Sequence, residues 1–218
     1  MSISQNLNAI RDTLPEGVEL IVVSKYQPIE KLQEAYDCGE RVFGESRPQE
    51  LVKKYENLPK DIKWNMIGAL QTNKVKYIAP FIDLIHSGTS SRLFEMIDKE
   101  AKKCDRVIDV LFEIHIAQED SKHGWGKDEV IEFLENEEHK AFKNIRFRGL
   151  MAMASFTYDT SIVNMEFKSV KDLFDEIKGR FFSEDASFDT ISMGMSGDYK
   201  LAIKHGSTMV RIGTSIFK

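Results

Sequence analysis

Leu20-Ile21-Val22-Val23-Ser24-Lys25 is an aliphatic run that stops at a lysine, with Pro28 shortly after it. Buried strands of parallel sheets read as unbroken aliphatic runs of this kind. A residue just past such a strand stands at the carboxyl edge of the sheet, where α/β folds place their chemistry. A lysine held there against low-dielectric walls is more easily deprotonated, and its neutral amine can attack an aldehyde to form a Schiff base. On these residues alone, a lysine that merely ends a strand in solvent is the simpler reading. The rest of the chain decides between the two.

Outward from this run, apolar stripes and short β-branched segments alternate. Ile3, Leu7, Ile10 and Leu14 recur at helical spacing before it. After it, Pro28 suits a first helical position, Ile29, Leu32, Ala35 and Tyr36 form a buried stripe, and Gly39 is placed to cap the helix. The pattern then predicts a strand over 41–44, a helix from near Pro48, a strand over 64–68, a helix over 73–79, a strand over 81–86, a helix from Ser90 or Ser91, and a strand over 106–116. A polar loop over 118–124 separates that strand from a helix bearing Val130, Ile131, Phe133 and Leu134. A strand over 145–151, the longest helix over 162–182, a strand over 188–193, a short helix over 199–205 and a final strand over 207–212 complete the chain. About eight strands alternating with helices is the order of an α/β fold of the (β/α)8 TIM-type barrel class. No helix is predicted after the last strand, and the N-terminal helix is expected to fill the eighth place in the outer ring. An open doubly wound sheet is the runner-up, but its G-x-G-x-x-G fingerprint is absent. No linker or low-complexity segment interrupts the alternation, and residues 1–218 read as one domain.

Composition bounds the function. Of 218 residues, 42% are hydrophobic and 30% charged, which is a globular balance. The formal net charge of -5 is spread along the chain with no basic run, which argues against nucleic acid or an anionic membrane as main partner. Cys38 and Cys104 have neither disulfide-framework nor zinc-site spacing, and are read as reduced thiols near helix ends. The five histidines, His86, His115, His123, His139 and His205, show no metal-ligand spacing. The N-terminus lacks a basic segment with an apolar core, and no stretch approaches the roughly 20 apolar residues of a spanning helix, so a cytoplasmic location is expected.

Barrels of this class often hold a phosphate on the loops after strands seven and eight. Here Ser192-Met193-Gly194-Met195-Ser196-Gly197-Asp198 follows the seventh strand, with Ser196 ahead of a short helix, and Arg211-Ile212-Gly213-Thr214-Ser215 follows the eighth. Either alone would be a glycine turn with a helix cap; two at the expected places point to an anion. By alternation Arg211 and Gly213 share a direction. A permanently protonated arginine facing a pyridine nitrogen would donate to it and leave it unprotonated; otherwise Arg211 is a surface ion pair at the rim. A lysine Schiff base, a phosphate cup and a ring-nitrogen partner together describe pyridoxal 5′-phosphate. Glu45, His86, Asn65 and His115 fall at strand ends, where Glu45 and Asn65 are placed to orient Lys25 or flank the ring. Met151, Met153, Met193 and Met195 are core filler or an apolar wall beside it.

The motifs resemble the pyridoxal phosphate homeostasis proteins, which share the fold type III barrel of the alanine racemase N-terminal domain. The resemblance spans the chain and rests on Val22-Val23-Ser24-Lys25 with Pro28, Phe43-Gly44-Glu45, Ile67-Gly68-Ala69-Leu70-Gln71-Thr72-Asn73-Lys74, Asp120-Ser121-Lys122-His123-Gly124, Arg148-Gly149-Leu150-Met151, Ser192-Met193-Gly194-Met195-Ser196 and the run from Gly206 to Phe217. It implies that Lys25 carries the cofactor as an aldimine, that Arg211 faces the pyridine nitrogen, and that Ser196, Gly213 and Thr214 hold the phosphate. The chain departs from the family at Ser46, where asparagine is usual, and at Asn65, where histidine is common; both stay candidates for cofactor contact by position. The family implies a non-catalytic holder of the cofactor that serves pyridoxal phosphate-dependent apoenzymes, and a monomer is expected. Racemases of this fold type draw a second base from an additional β domain, which is not expected beyond Lys218. The alternatives are a pyridoxal phosphate enzyme of racemase or lyase type and a phosphosugar barrel enzyme.

Overall fold

The structure, a computed structural model, describes residues 2–116 and 124–218. Its strands are β1 (Glu19–Val23), β2 (Val42–Glu45), β3 (Lys63–Met66), β4 (Leu84–Gly88), β5 (Ile108–Ile114), β6 (Ile145–Ala152), β7 (Thr190–Met195) and β8 (Met209–Ile212). All neighbours are parallel, and the barrel closes where Ile21 of β1 lies beside Arg211 of β8. Around it run α1 (Ile3–Arg11), α2 (Ile29–Asp37), α3 (Pro48–Asn57), α4 (Val75–Ile78), α5 (Ser91–Lys103), α6 (Lys127–Glu135), α7 (Thr160–Phe181), α8 (Tyr199–Lys204) and α9 (Thr214–Phe217). The fold is the expected (β/α)8 barrel. The loop read over 118–124, with Asp120, Ser121, Lys122 and His123, lies outside the described residues apart from Gly124.

Side-chain alternation sorts each strand into two faces. Ile21, Leu84, Leu111, Met151 and Met209, with Val42 and Ile67, meet in one apolar layer inside the barrel. Val22, Phe43, Trp64, Met66, Ile85, Val110 and Phe112 face the other way, into the larger core beneath the helices. At the amino end of the barrel Asp109 takes Arg146 at 2.7 Å and Arg148 at 2.8 Å, and Arg148 also reaches Asp189. This charged plug leaves the carboxyl end as the open one.

The structure departs from the sequence reading at several boundaries. A short helix, α9, does follow the last strand, so α1 does not replace it; α1 packs beside α2 and α9, and Asn6 Nδ2 donates to Ile216 O at 2.9 Å. Phe81 and Ile82, read as strand, donate their N–H groups to Ile78 O and so extend the α4 turn; β4 begins at Leu84. The seventh strand runs on to Met195, with a shifted register between Ser192 and Met195. Gly194 makes that possible: its φ is 94°, and a Cβ there would fall 2.6 Å from Ala202 Cβ. Cys38 and Cys104 sit at the C-caps of α2 and α5 as free thiols. Among the described residues no helix is long and apolar enough to cross a membrane.

Glu40, just before β2, is buried against Arg11 of α1. Burial raises its carboxyl above the usual range, and the Arg11 guanidinium offsets this only in part. A carboxyl that binds its proton more tightly when folded contributes stability below its unfolded pKa and loses it as pH rises through the folded one. Glu40→Gln keeps an acceptor for Arg11 without the charge. It is therefore expected to raise the unfolding midpoint at about pH 7, with the difference vanishing below about pH 4. Calorimetry at the two pH values checks this; a lower midpoint for the variant at neutral pH would show that the ion pair outweighs desolvation.

Candidate functional site

The carboxyl end of β1 is fastened from below. Ser24 N–H donates to Gly44 O at 2.8 Å, continuing the sheet one residue past Val23, and Lys25 follows in a turn with Tyr26, whose φ is 64°. Ser24 Oγ lies 3.0 Å from Gly44 O and 3.1 Å from Glu45 Oε2. Lys54, on the buried face of α3 one turn after Leu51, donates to Ser24 O at 2.8 Å and pairs with Glu45 Oε2. Both charges are almost fully enclosed, Lys54 at 3% and Glu45 at 1% exposure. The other carboxylate oxygen accepts from Ser46 N–H at 2.7 Å and from Arg47 N–H at 3.3 Å. One carboxylate thus ties the turn after β1 to the turn after β2.

Lys25 itself is exposed and borders a cleft of about 430 Å³ with Tyr26, Pro28, Ser46, Arg47 and Glu50 among its walls. The low-dielectric surroundings expected for it are not supplied by the described residues. The turn carries it past the strand end, while the neighbouring cation, Lys54, is the one enclosed.

A polar row crosses the barrel just above its apolar layer. Arg211, buried on β8, donates from Nη1 to Ser192 O at 2.8 Å and Ser192 Oγ at 2.6 Å, and from Nη2 to Ala152 O at 3.0 Å. Ser192 Oγ stands 3.0 Å from His86 Nδ1, and His86 Nε2 stands 2.9 Å from Asn65 Oδ1. Burial pulls Arg211 down to about 10, with Asp198 and Glu113 pulling the other way, so it stays charged at neutral pH. Burial, and then the Arg211 charge, hold His86 well below its usual value, and the imidazole is neutral.

The remaining expected residues occupy neighbouring strand ends. Ser196 lies in the turn after β7, but the residue that caps α8 is Asp198, whose Oδ1 accepts Met195 N–H at 2.5 Å. Gly213 and Thr214 follow β8 and start α9. Gly213 has to be glycine, because a Cβ would fall 2.9 Å from Val23 O, and this close approach brings the β8 loop against the end of β1. Met193 is different. It is wholly buried in the core beneath the helices, opposite Ser192, so its side chain is directed away from the barrel interior; strand alternation past Ser192 sends it there. Met153 and Met195 are the exposed methionines near this end.

Sequence reasoning missed Lys54 and Ser192 and placed His86 at a strand end, to line the mouth or sit at its rim. Lys54 had a signal, since it interrupts the apolar stripe of Leu51, Tyr55 and Leu58 at buried spacing. Lys54→Met would leave the Glu45 carboxylate enclosed without its cation and is expected to destabilise the fold by about 3–5 kcal/mol. Removing both charges with Glu45→Leu and Lys54→Met should recover most of that loss. Urea denaturation of the variants checks it; a single variant as stable as the double would show that Glu45 is not held as a charge.

The profile of the family "Alanine racemase, N-terminal domain" matches residues 1–218. The pyridoxal phosphate homeostasis protein of Aquifex aeolicus is 38% identical over 200 residues, covering 91% of this chain and 86% of that one. PipY of Synechococcus elongatus, solved with PLP bound, superposes with a TM-score of 0.89 at 30% identity and 100% coverage of both chains. The same protein without PLP gives 0.92 at 31% identity, again with 100% coverage of both. Barrel, strand-end residues and relatives agree: the chain belongs to the alanine racemase N-terminal domain family, and within it to the pyridoxal phosphate homeostasis proteins.

Proposed function

We propose that this chain binds pyridoxal 5′-phosphate at the carboxyl mouth of the barrel and serves in its intracellular homeostasis. The cofactor supplies an aldehyde, a pyridine ring and a phosphate; the residues present match all three. Lys25 offers the amine that carries the aldehyde carbon. Ser196, Gly213 and Thr214, at two adjacent strand ends, would hold the phosphate, and Ser46, just after β2, and Asn65, on β3, would flank the ring. The observation that carries the reading is Arg211. Three of the five N–H bonds of an arginine are committed to Ser192 and Ala152, which leaves two without a partner among the described residues to donate to a ring nitrogen.

Arg211 also favours holding over converting. A guanidinium that keeps its proton donates a hydrogen bond to the ring nitrogen without protonating it, and an unprotonated pyridine withdraws electrons weakly. Amino-acid chemistry on the cofactor is thereby discouraged at the ring, and we assign the chain a non-catalytic role. Its recipients are pyridoxal phosphate-dependent apoenzymes, and it acts as a monomer of one domain in the cytoplasm.

Borohydride reduction of the loaded protein, followed by peptide mass spectrometry, should place the pyridoxyl group on Lys25. Lys25→Ala should lose that label while keeping non-covalent binding through Arg211 and the phosphate residues. A label on Lys74 or Lys122 in the wild type would overturn the assignment. Arg211→Glu, which sets a carboxylate against the ring nitrogen and favours its protonation, should change the visible spectrum of the loaded protein; an unaltered spectrum in a folded variant would show that Arg211 does not face the ring.

A further inference from the structure

His86 has no part in the binding described above, yet it is wholly buried and both of its ring nitrogens are engaged. With the Asn65 amide turned so that its Nδ2 donates to Lys63 O at 3.4 Å, donor and acceptor chemistry fixes each hydrogen along the row. A neutral imidazole carries one donor and one acceptor nitrogen, and the amide oxygen Asn65 Oδ1 can only accept. Nε2 therefore carries the hydrogen, at 2.9 Å from Asn65 Oδ1, and Nδ1 must accept from the Ser192 hydroxyl at 3.0 Å. With its hydrogen turned to His86, Ser192 Oγ presents lone pairs to Arg211 Nη1 at 2.6 Å, and a guanidinium can only donate. The alternative tautomer would set Nε2 and Asn65 Oδ1 as two acceptors against each other inside the barrel.

We propose that His86 is a positioning residue for Arg211. By taking the Ser192 hydrogen it fixes that hydroxyl as an acceptor, and so sets which Arg211 N–H groups are left to meet the ring nitrogen. The role rests on the reading of Arg211 as the ring-nitrogen partner. Its first half, the polarity of the row, concerns only the four side chains on β3, β4, β7 and β8. Arg211 is additionally flanked by the charges of Asp198 and Glu113, which attract the guanidinium but leave the direction of the Ser192 hydroxyl to His86.

Nitrogen-15 NMR of the cofactor-free protein reads the row directly. At neutral pH His86 should show a protonated Nε2 and an unprotonated Nδ1; the opposite tautomer or a charged ring overturns the proposal. In His86→Leu the hydroxyl is free to turn, and the Arg211 Nη hydrogens should exchange with solvent roughly tenfold faster, the scale of one lost hydrogen bond. His86→Gln, which can accept from Ser192 and donate to Asn65, should restore slow exchange; unchanged exchange in a folded His86→Leu overturns the proposal. The second arm uses protein loaded with pyridoxal phosphate labelled at the ring nitrogen. The nitrogen shift should move in His86→Leu and return in His86→Gln, which a general loss of stability would not do. If Arg211→Lys also leaves that shift untouched, the reading of Arg211 fails, and the exchange data still decide the role of His86. If Arg211→Lys moves it and His86→Leu does not, the positioning role is overturned.

Discussion

The carboxylate of Glu45 is the point on which the mouth of this barrel depends. Its oxygens receive Lys54, the Ser24 hydroxyl and two backbone N–H groups, so one buried group gathers donors from β1, the β2 turn and α3. The desolvation of two enclosed charges offsets much of their mutual attraction, and net stability is a weak reason for such a pair. Direction is a better one. Methylene groups in the same space would fill it without specifying where the Ser24 carbonyl points, and that carbonyl immediately precedes Lys25, the lysine proposed to carry the cofactor.

Above the apolar layer, the barrel interior turns polar within two residues on β4 and β8. Leu84 gives way to His86 on β4 and Met209 to Arg211 on β8, each on the same inward face. A buried guanidinium needs acceptors, and Ser192 and Ala152 provide them from the neighbouring strands. The same charge helps to keep His86 neutral, and a neutral ring can be an acceptor at one nitrogen. The electrostatics and the hydrogen-bond polarity of the row are therefore one arrangement. The charged plug of Asp109, Arg146, Arg148 and Asp189 closes the other end, which confines polar chemistry to one mouth.

A likeness to PipY, solved with and without PLP, sets this geometry in its family. In the present chain Asn65 pairs with His86. The amide oxygen of Asn65 on β3 meets the imidazole of His86 on the neighbouring strand β4, 21 residues further along the chain. The amide faces the row.

By itself the sequence determined the barrel, because eight aliphatic segments alternating with amphipathic helices leave few ways to bury both. It also placed Lys25, Arg211 and Gly213 at one edge, since a period of two along a strand and the polarity of a parallel sheet follow from chain order alone. Weak local signals fared worse. Four-residue α9 is too short to show a period, and Phe81 and Ile82 suit a strand as well as the helical turn they join. Met193, expected as core filler or as an apolar wall beside the ring, lies in the core beneath the helices because strand alternation past Ser192 turns it outward. The partners of the buried polar groups were settled only in three dimensions: His86 meets Ser192 across 106 residues of chain and Asn65 across 21, and Lys54 reaches back 30 residues to the Ser24 carbonyl. Such contacts depend on the shear of the closed barrel and the seating of α3 against it. Neither leaves a period in the sequence, because each hydrogen bond needs one polar atom at one place and the chain between is free to be anything that folds.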